Sequence, residues 1–320
     1  MNEQNVKNRV IGVDISIEET SYAIVDVRGN IIARDGFSTQ EYPDVTDYVS
    51  VLSERVVKLA EESGGYENIR SMGISAPSGN FRTGCIENAP NLHWKGVVPM
   101  AAMLRDRLGI AVALGNDAHL AALGEHTFGS AHGMNNFIVI TLGHGIGSCI
   151  FSNGEVHLGA DGFAGEVGHT TLVYNGRTCG CGKKGHLEQY ASATGVVRKA
   201  KEMLSGTDIP STLRDLPNVE SKDVFDAAKV GDELALAIVD FVGDTLGAAM
   251  AVISSVVDPE VFVFGGGVSK AGAILIDTVK KHFAEYAFHV SEKAEFELAK
   301  LGNDEGMYGA VKMILPELPE

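Results

Sequence analysis

The glycines of this chain stand in clusters directly behind short apolar runs, and that placement narrows the fold more than any other feature. Residues 136–142 are mostly apolar and lead into Gly143-His-Gly-Ile-Gly147. Residues 261–264 lead into Gly265-Gly-Gly267, and residues 69–75 lead into Ala76-Pro-Ser-Gly79. Short buried strands that end in turns almost free of side chains are where α/β proteins let backbone approach a ligand. Glycine totals 38 of 320 residues, about one in eight, against a usual share of about 7%. The excess is not low-complexity sequence, because it is confined to these discrete clusters.

The segments between the clusters alternate. Strands are predicted at residues 9–15, 21–27 and 30–37, with Arg28-Gly29-Asn30 as the turn between the last two. Val49, Leu52, Val56, Leu59 and Ala60 recur at helical spacing within residues 45–63, and Gly64-Gly65 stops that helix. A strand at 69–75, a helix at 99–108, a strand at 111–115 and a helix at 118–128 complete the first series. The second series has strands at 136–142 and 148–152, a Gly-rich irregular stretch at 159–172 and a compact loop at 179–188. Helices follow at 191–204, 221–230 and 233–257, then a strand at 261–264, a helix at 274–285, a strand at 294–300 and a helix at 307–315. Strands, crossover helix, strand and helix therefore occur twice, which implies a duplicated α/β architecture of mixed sheets covered by helices. The boundary is expected between residues 120 and 130.

Charge excludes some functions. Lys plus Arg is 26 and Asp plus Glu is 42, so the net charge is −16. Such a surface repels nucleic acid and anionic membranes. No apolar run approaches the roughly 18 residues needed to span a bilayer, and residues 1–10 lack the apolar stretch of a signal peptide. These features place the protein in the cytoplasm, where its four cysteines do not form a disulfide framework.

Four constellations carry chemistry. Asn116-Asp117 follows an apolar strand and opens a helix. Either residue suits an N-cap, and a carboxylate there can also take a proton from a substrate hydroxyl. The alternate glycines 143, 145 and 147 expose N–H groups that can form an anion nest, although such turns are common between strands. Gly265, Gly266 and Gly267 make either a tight strand-to-helix turn or a close approach to a nucleotide. Gly165-Glu-Val-Gly-His169, followed by Cys179-Gly-Cys181 and His186, supplies two thiolates and two imidazoles, a complete tetrahedral set for structural zinc. The alternative is a chance Cys-x-Cys with free thiols.

Together these residues resemble the ROK family of sugar kinases, most closely its glucokinase branch, over essentially the whole chain. Residues 142–169 resemble the family signature. Ala76-Pro-Ser-Gly79 and Ala89-Pro-Asn-Leu-His-Trp94 resemble its two sugar-side segments, Asn116-Asp117 its catalytic pair and Gly265-Gly-Gly267 its adenosine motif. The resemblance implies an actin-like ATPase (ribonuclease H-like) fold with two lobes around a cleft. The N-terminal lobe would comprise residues 1–119 and 304–320, the last helix returning to it, and the larger lobe residues 120–303. It implies transfer of the γ-phosphoryl of Mg-ATP to a hexose hydroxyl, usually the 6-hydroxyl. Asp117 would be the base. Gly79, Asn91, Asn116, Glu166, His169 and Glu188 would hold the sugar hydroxyls. Asp14, Gly143, His144, Gly145 and the triple glycine would serve the nucleotide, Asp14 through a magnesium-bound water. His169 would hold sugar with one ring nitrogen and zinc with the other. A dimer or tetramer is expected.

Three positions depart from the family pattern. His186 stands where the zinc loop has a third cysteine, and imidazole is an equally good ligand. The family reads Asp-x-Gly-Gly-Thr between its first strands, whereas this chain reads Asp14-Ile-Ser-Ile-Glu-Glu-Thr20. Ser16, Ile17 and Glu18 replace Gly, Gly and Thr, and Glu18 or Glu19 brings negative charge near the phosphates, a repulsion on the order of 1 kcal/mol. His144 replaces a threonine; it would donate to a phosphate or offset Glu18, or else it is a solvent-facing loop histidine. Two alternatives to a glucokinase follow: a sugar-binding or regulatory protein with altered donor use, or a kinase for N-acetylmannosamine, allose or fructose.

Overall fold

Strand β1 (Arg9–Ile15) is buried along most of its length, as its apolar run Val10–Val13 requires. It pairs antiparallel with β2 (Glu19–Asp26), which pairs antiparallel with β3 (Ile31–Ser38). The computed structural model describes residues 7–89 and 91–315, apart from the side chain of Asn303. Helix α1 (Val45–Glu62) is N-capped by Asp44, whose carboxylate accepts from the Thr46 and Asp47 N–H groups. It crosses to β4 (Ile69–Ala76), parallel to β1. A small three-stranded sheet follows, of β5 (Gly79–Asn80), β6 (Cys85–Glu87) and β7 (Val97–Val98). These strands are two or three residues long, too short for any periodicity to reveal them. Helix α2 (Met100–Leu108) leads to β8 (Ala111–Asn116), parallel to β4, and α3 (Asp117–Phe128) closes the series. The strand order is β3-β2-β1-β4-β8.

The second series repeats that order. Strands β9 (Phe137–Leu142), β10 (Ile146–Ser152) and β11 (Glu155–Val156) form an antiparallel meander. Helices α4 (Glu188–Ala191), α5 (Ala193–Gly206), α6 (Ser221–Lys229) and α7 (Glu233–Val257) precede β12 (Val261–Gly265), parallel to β9. Helices α8 (Gly266–Ser269) and α9 (Ala273–Tyr286) lead to β13 (Glu295–Leu298), and α10 (Glu305–Ile314) ends the chain's described part. The sheet runs β11-β10-β9-β12-β13. The duplication expected from the sequence is present strand for strand.

The chain divides into two compact units, one of residues 1–133, 160–162 and 303–320, the other of residues 134–159 and 163–302. The expected boundary at residue 120 falls inside α3, a continuous helix that stays whole in the first unit. Helix α10 also belongs to that unit. It lies against β4 so closely that a β-carbon at Gly73 would overlap the Ala310 carbonyl, and one at Gly309 would overlap the carbonyl of Leu120 on α3. Val10, Ala23, Val25, Met307 and Val311 form the apolar contact under it.

Helix α7 corrects one expectation. Its 25 residues include an 18-residue window of mean hydropathy 1.8, long and apolar enough by composition to cross a membrane. Asp240 and Asp244 interrupt the run in sequence, which hides this. Leu234, Ile238, Val242, Leu246 and Met250 of α7 are fully buried with Phe262 and Phe264 of β12, so this face is the core of the second unit.

Candidate functional site

In the first unit, the carboxyl ends of three parallel strands line up. Asp14 on β1 pairs with Ser75 on β4, and Ser75 pairs with Gly115 on β8, next to Asn116. This is the sheet edge where open α/β folds bind ligands. Asn116 is the N-cap of α3, its Oδ1 accepting from Ala118 N (3.0 Å) and His119 N (3.3 Å). Asp117 is therefore not the cap. Its Oδ1 accepts from Ala118 N at 2.8 Å. The residue is solvent-exposed, yet protein surrounds its carboxyl densely enough that loss of hydration raises its pKa, against the Ala118 N–H and the charge of His119. A recessed but reachable carboxylate satisfies both observations.

Burial likewise pushes Asp14 up to about 6, with the Ser75 hydroxyl opposing and the charges of Asp117 and Asp304 reinforcing it. The Ser75 hydroxyl is buried beside it and is the main influence holding that rise back. Gly306 on α10 presses against this pair. A β-carbon there would lie 2.5 Å from Asp14 Oδ1 and 2.7 Å from Ser75 Oγ. Two further buried carboxyls, Glu125 and Glu305, stand beside the aspartates. Glu125 is fully buried, and its Oε2 accepts from Ser130 N at 2.6 Å. Sequence reasoning missed both, because each looks like an ordinary polar position of an amphipathic helix.

The two segments expected on the sugar side are anchored by packing. Gly79 abuts the Gly115 carbonyl, leaving no room for a β-carbon. Asn91 is exposed, while Leu92 and Trp94 are buried beside it. The Trp94 ring lies 4.4 Å from that of Tyr48. Pro90, within the same expected segment, lies outside the described residues. The β1–β2 turn is tight and glycine-free: Ser16 N donates to Glu19 O (2.9 Å), and Ser16 Oγ accepts from Glu19 N (3.1 Å). Glu18 and Glu19 are exposed on it.

In the second unit, the Gly165–His169 motif is fixed to β10. The Ser148 hydroxyl donates to Gly165 O and accepts from Val167 N (3.0 Å), and a β-carbon at Gly168 would overlap Ile146 O. The motif's glycines thus serve packing, while Glu166 and His169 stay accessible. Residues 178–184 fold back as a knuckle, with Cys179 N donating to Lys183 O at 2.8 Å. Gly185 (φ 77°) closes it against Val173 O, where no side chain fits.

This knuckle brings the four expected metal ligands together. The donor atoms of His169, Cys179, Cys181 and His186 all lie within 4.8 Å of one another. His169 Nδ1 is 3.2 Å from His186 Nδ1, Cys179 Sγ is 3.7 Å from His169 Nδ1, and Cys181 Sγ is 3.4 Å from His186 Nδ1. Tetrahedral zinc with ordinary bond lengths requires about 3.3 Å between nitrogens and about 3.6 Å between nitrogen and sulfur. The set fits. Burial and the Glu188 carboxylate, whose Oε1 lies 3.0 Å away, push the Cys179 thiol up to about 12; a cation would reverse that balance. His169 turns its other nitrogen, Nε2, toward Glu166 Oε2 at 3.9 Å.

The glycine loops are less uniform than their sequence suggests. Gly143 N donates to Gly145 O at 3.0 Å, and none of Gly143, Gly145 and Gly147 has a positive φ, so the alternating nest conformation is absent. The carbonyls of Gly143 and His144 are held by Ala193 N and Thr194 Oγ1, both at 2.9 Å. The His144 side chain is exposed, and Gly145 faces Glu188. Gly265 ends β12, and Gly266 (φ 82°) packs on the Leu142 backbone. Gly143 and Gly267 have neither constraint, since a β-carbon at either meets nothing within 4 Å. They follow adjacent strands, β9 and β12, and mark open backbone.

The family model described as "ROK family" matches residues 10–317. The chain is 36% identical over 309 residues to a glucokinase of Halalkalibacterium halodurans, covering 93% of this chain and 92% of that one. It superposes with a TM-score of 0.80 and 31% identity on a ROK family glucokinase from Streptomyces griseus in complex with glucose and AMPPNP, covering 95% and 98% of the two chains. It is also 24% identical to a xylose repressor of Caldicellulosiruptor bescii, covering 97% of this chain and 78% of the repressor. The α/β architecture is the actin-like ATPase fold of these sugar kinases.

Proposed function

Because the chain belongs to the ROK family, we propose that it transfers the γ-phosphoryl group of ATP to a hexose, glucose at its 6-hydroxyl. The observation that carries this reading is Asp117, a recessed, accessible carboxylate with raised pKa beside an amide already committed to capping. One Asp117 oxygen is fixed by Ala118 N, which leaves the other to accept the hydroxyl proton as the sugar oxygen bonds to phosphorus and ADP leaves. Asn116 Oδ1 is occupied by the helix, so its Nδ2 donates to a sugar oxygen. Gly79 and Asn91 would complete the sugar contacts of the first unit. Glu166, His169 and Glu188 would supply those of the second, carboxylates accepting and imidazole donating.

Zinc held by His169, Cys179, Cys181 and His186 would fill a closed four-ligand site and act structurally. It would fix the His169 tautomer, so that Nε2 carries the hydrogen and points at the substrate. Magnesium bound with the nucleotide supplies charge neutralisation on the phosphates. Asp14, a hard oxygen donor at the strand edge, suits a water on that ion. Open backbone at Gly143 and Gly267 suits phosphate and adenosine, with Gly145, His144, Gly265 and Gly266 shaping the two turns. The relatives' glucokinase and glucose–AMPPNP descriptions support hexose and ATP. The net charge of −16 supports an enzyme that binds neither nucleic acid nor anionic membrane, and the family resemblance supports a cytoplasmic homo-oligomer, a dimer or tetramer.

The Ser16–Glu19 turn favours a second reading, a sugar-binding regulator with altered donor use, as the repressor relative illustrates. Turnover by wild type and by D117N, beside glucose binding by both, separates the two. A phosphotransferase loses turnover in D117N and keeps glucose binding; a regulator shows binding and no turnover in either.

A further inference from the structure

Glu305 is a buried carboxyl, and among the described residues the groups whose charges act on it include no cation. It opens α10, and its Oε2 is enclosed without a hydrogen-bond partner. The groups whose charges act on it are Glu125 and Asp117 from α3 and Asp14 from β1, all acidic. Asp304, the residue before it, pairs with Arg34 of β3 at 3.2 Å, and His119 acts on Asp117. Gly306, the next residue, seats α10 directly on Asp14 and Ser75. The first turn of a helix favours a negative charge, but loss of hydration and three like charges oppose it more strongly.

We propose that Glu305 is a positioning residue held as a neutral acid, which lets Asp14 and Asp117 carry the charge of this cluster and work as a pair. This rests on the phosphotransfer role given to Asp117. When Glu305 ionises, a third charge enters the cluster. It repels the phosphates of the donor and destabilises the charged aspartates beside it, since interacting carboxyls titrate as a set. Burial and its acidic neighbours push Glu305 up to about 8, so this loss falls on the alkaline side of neutrality.

Two measurements on wild type and E305Q test it. In kcat/KM for ATP from about pH 6 to about pH 9.5, wild type falls above about pH 8 and E305Q lacks that limb. Thermal unfolding without substrate reads the ionisation itself. A carboxyl whose pKa is raised on folding loses stability as pH climbs from its unfolded to its folded value. The Tm of E305Q relative to wild type therefore rises from about pH 5 to about pH 9. A flat Tm difference overturns the neutral acid, and identical alkaline limbs overturn its effect on the reaction. If neither protein turns over, the phosphotransfer role fails, and the Tm difference alone decides the ionisation. Should E305Q not fold, a glutamate carboxyl titrating near 8 in 13C-labelled wild type supports the proposal, and its absence contradicts it.

Discussion

The Nδ1 atoms of His169 and His186 lie 3.2 Å apart, the separation that two imidazoles adopt on one tetrahedral ion. Two thiols complete the set, while His169 Nε2 faces outward to Glu166. On the proposed reading, a structural role for metal and a contact role for histidine would meet in one ring. Metal analysis of protein purified without chelator should give about one zinc per chain. H186A should lose most of it and raise KM for sugar more than it lowers kcat, because a ring without its anchor no longer points one way. Zinc below about half an equivalent in wild type would count against the set.

Activity should fall on the acid side. Asp14 is raised to about 6 and Asp117 above the usual carboxylate range, both chiefly by burial. As pH drops, Asp14 takes up a proton through about 6 and Asp117 takes one up above the ordinary carboxylate range, so the proposed base is lost. A kcat/KM profile flat down to about pH 4.5 would refute the assignment.

Two glycine substitutions separate packing from ligand approach. Gly309→Ala drives a methyl into the Leu120 carbonyl where α10 meets α3, and should cost about 1–3 kcal/mol or more in urea unfolding. Gly267→Ala meets open space at an ordinary φ. It should leave stability within about 1 kcal/mol and raise KM for ATP several-fold. Equal stability losses in the two variants would contradict this distinction.

The exposed Glu18 and Glu19 on the first turn should weaken binding of an anionic donor. E18Q/E19Q should lower KM for ATP about two- to fivefold at low ionic strength, and the gain should shrink in about 0.5 M salt as the charges are screened. A gain that ignores salt would point to turn geometry instead.

Much of this was legible in the sequence, for identifiable reasons. Strands such as β1 and β12 are dominated by apolar runs, and the Cys179–Cys181 spacing carries its own chemistry. The strands β5 to β7 were not legible, since two or three residues have no period. Nor could sequence tell Gly168, required by the Ile146 carbonyl, from Gly267, required by nothing in the chain. Glu125 and Glu305 stayed hidden because helical patterning does not reveal that a charged position is enclosed by other carboxyls. The cap was ambiguous between Asn116 and Asp117 until geometry gave it to Asn116.

The most direct test is product analysis with purified protein, Mg-ATP and glucose, beside a panel of other hexoses. The account predicts ADP and glucose 6-phosphate in equal amounts, with glucose the preferred acceptor. Glucose that binds without ADP or any hexose phosphate appearing, for every sugar in the panel, would contradict it.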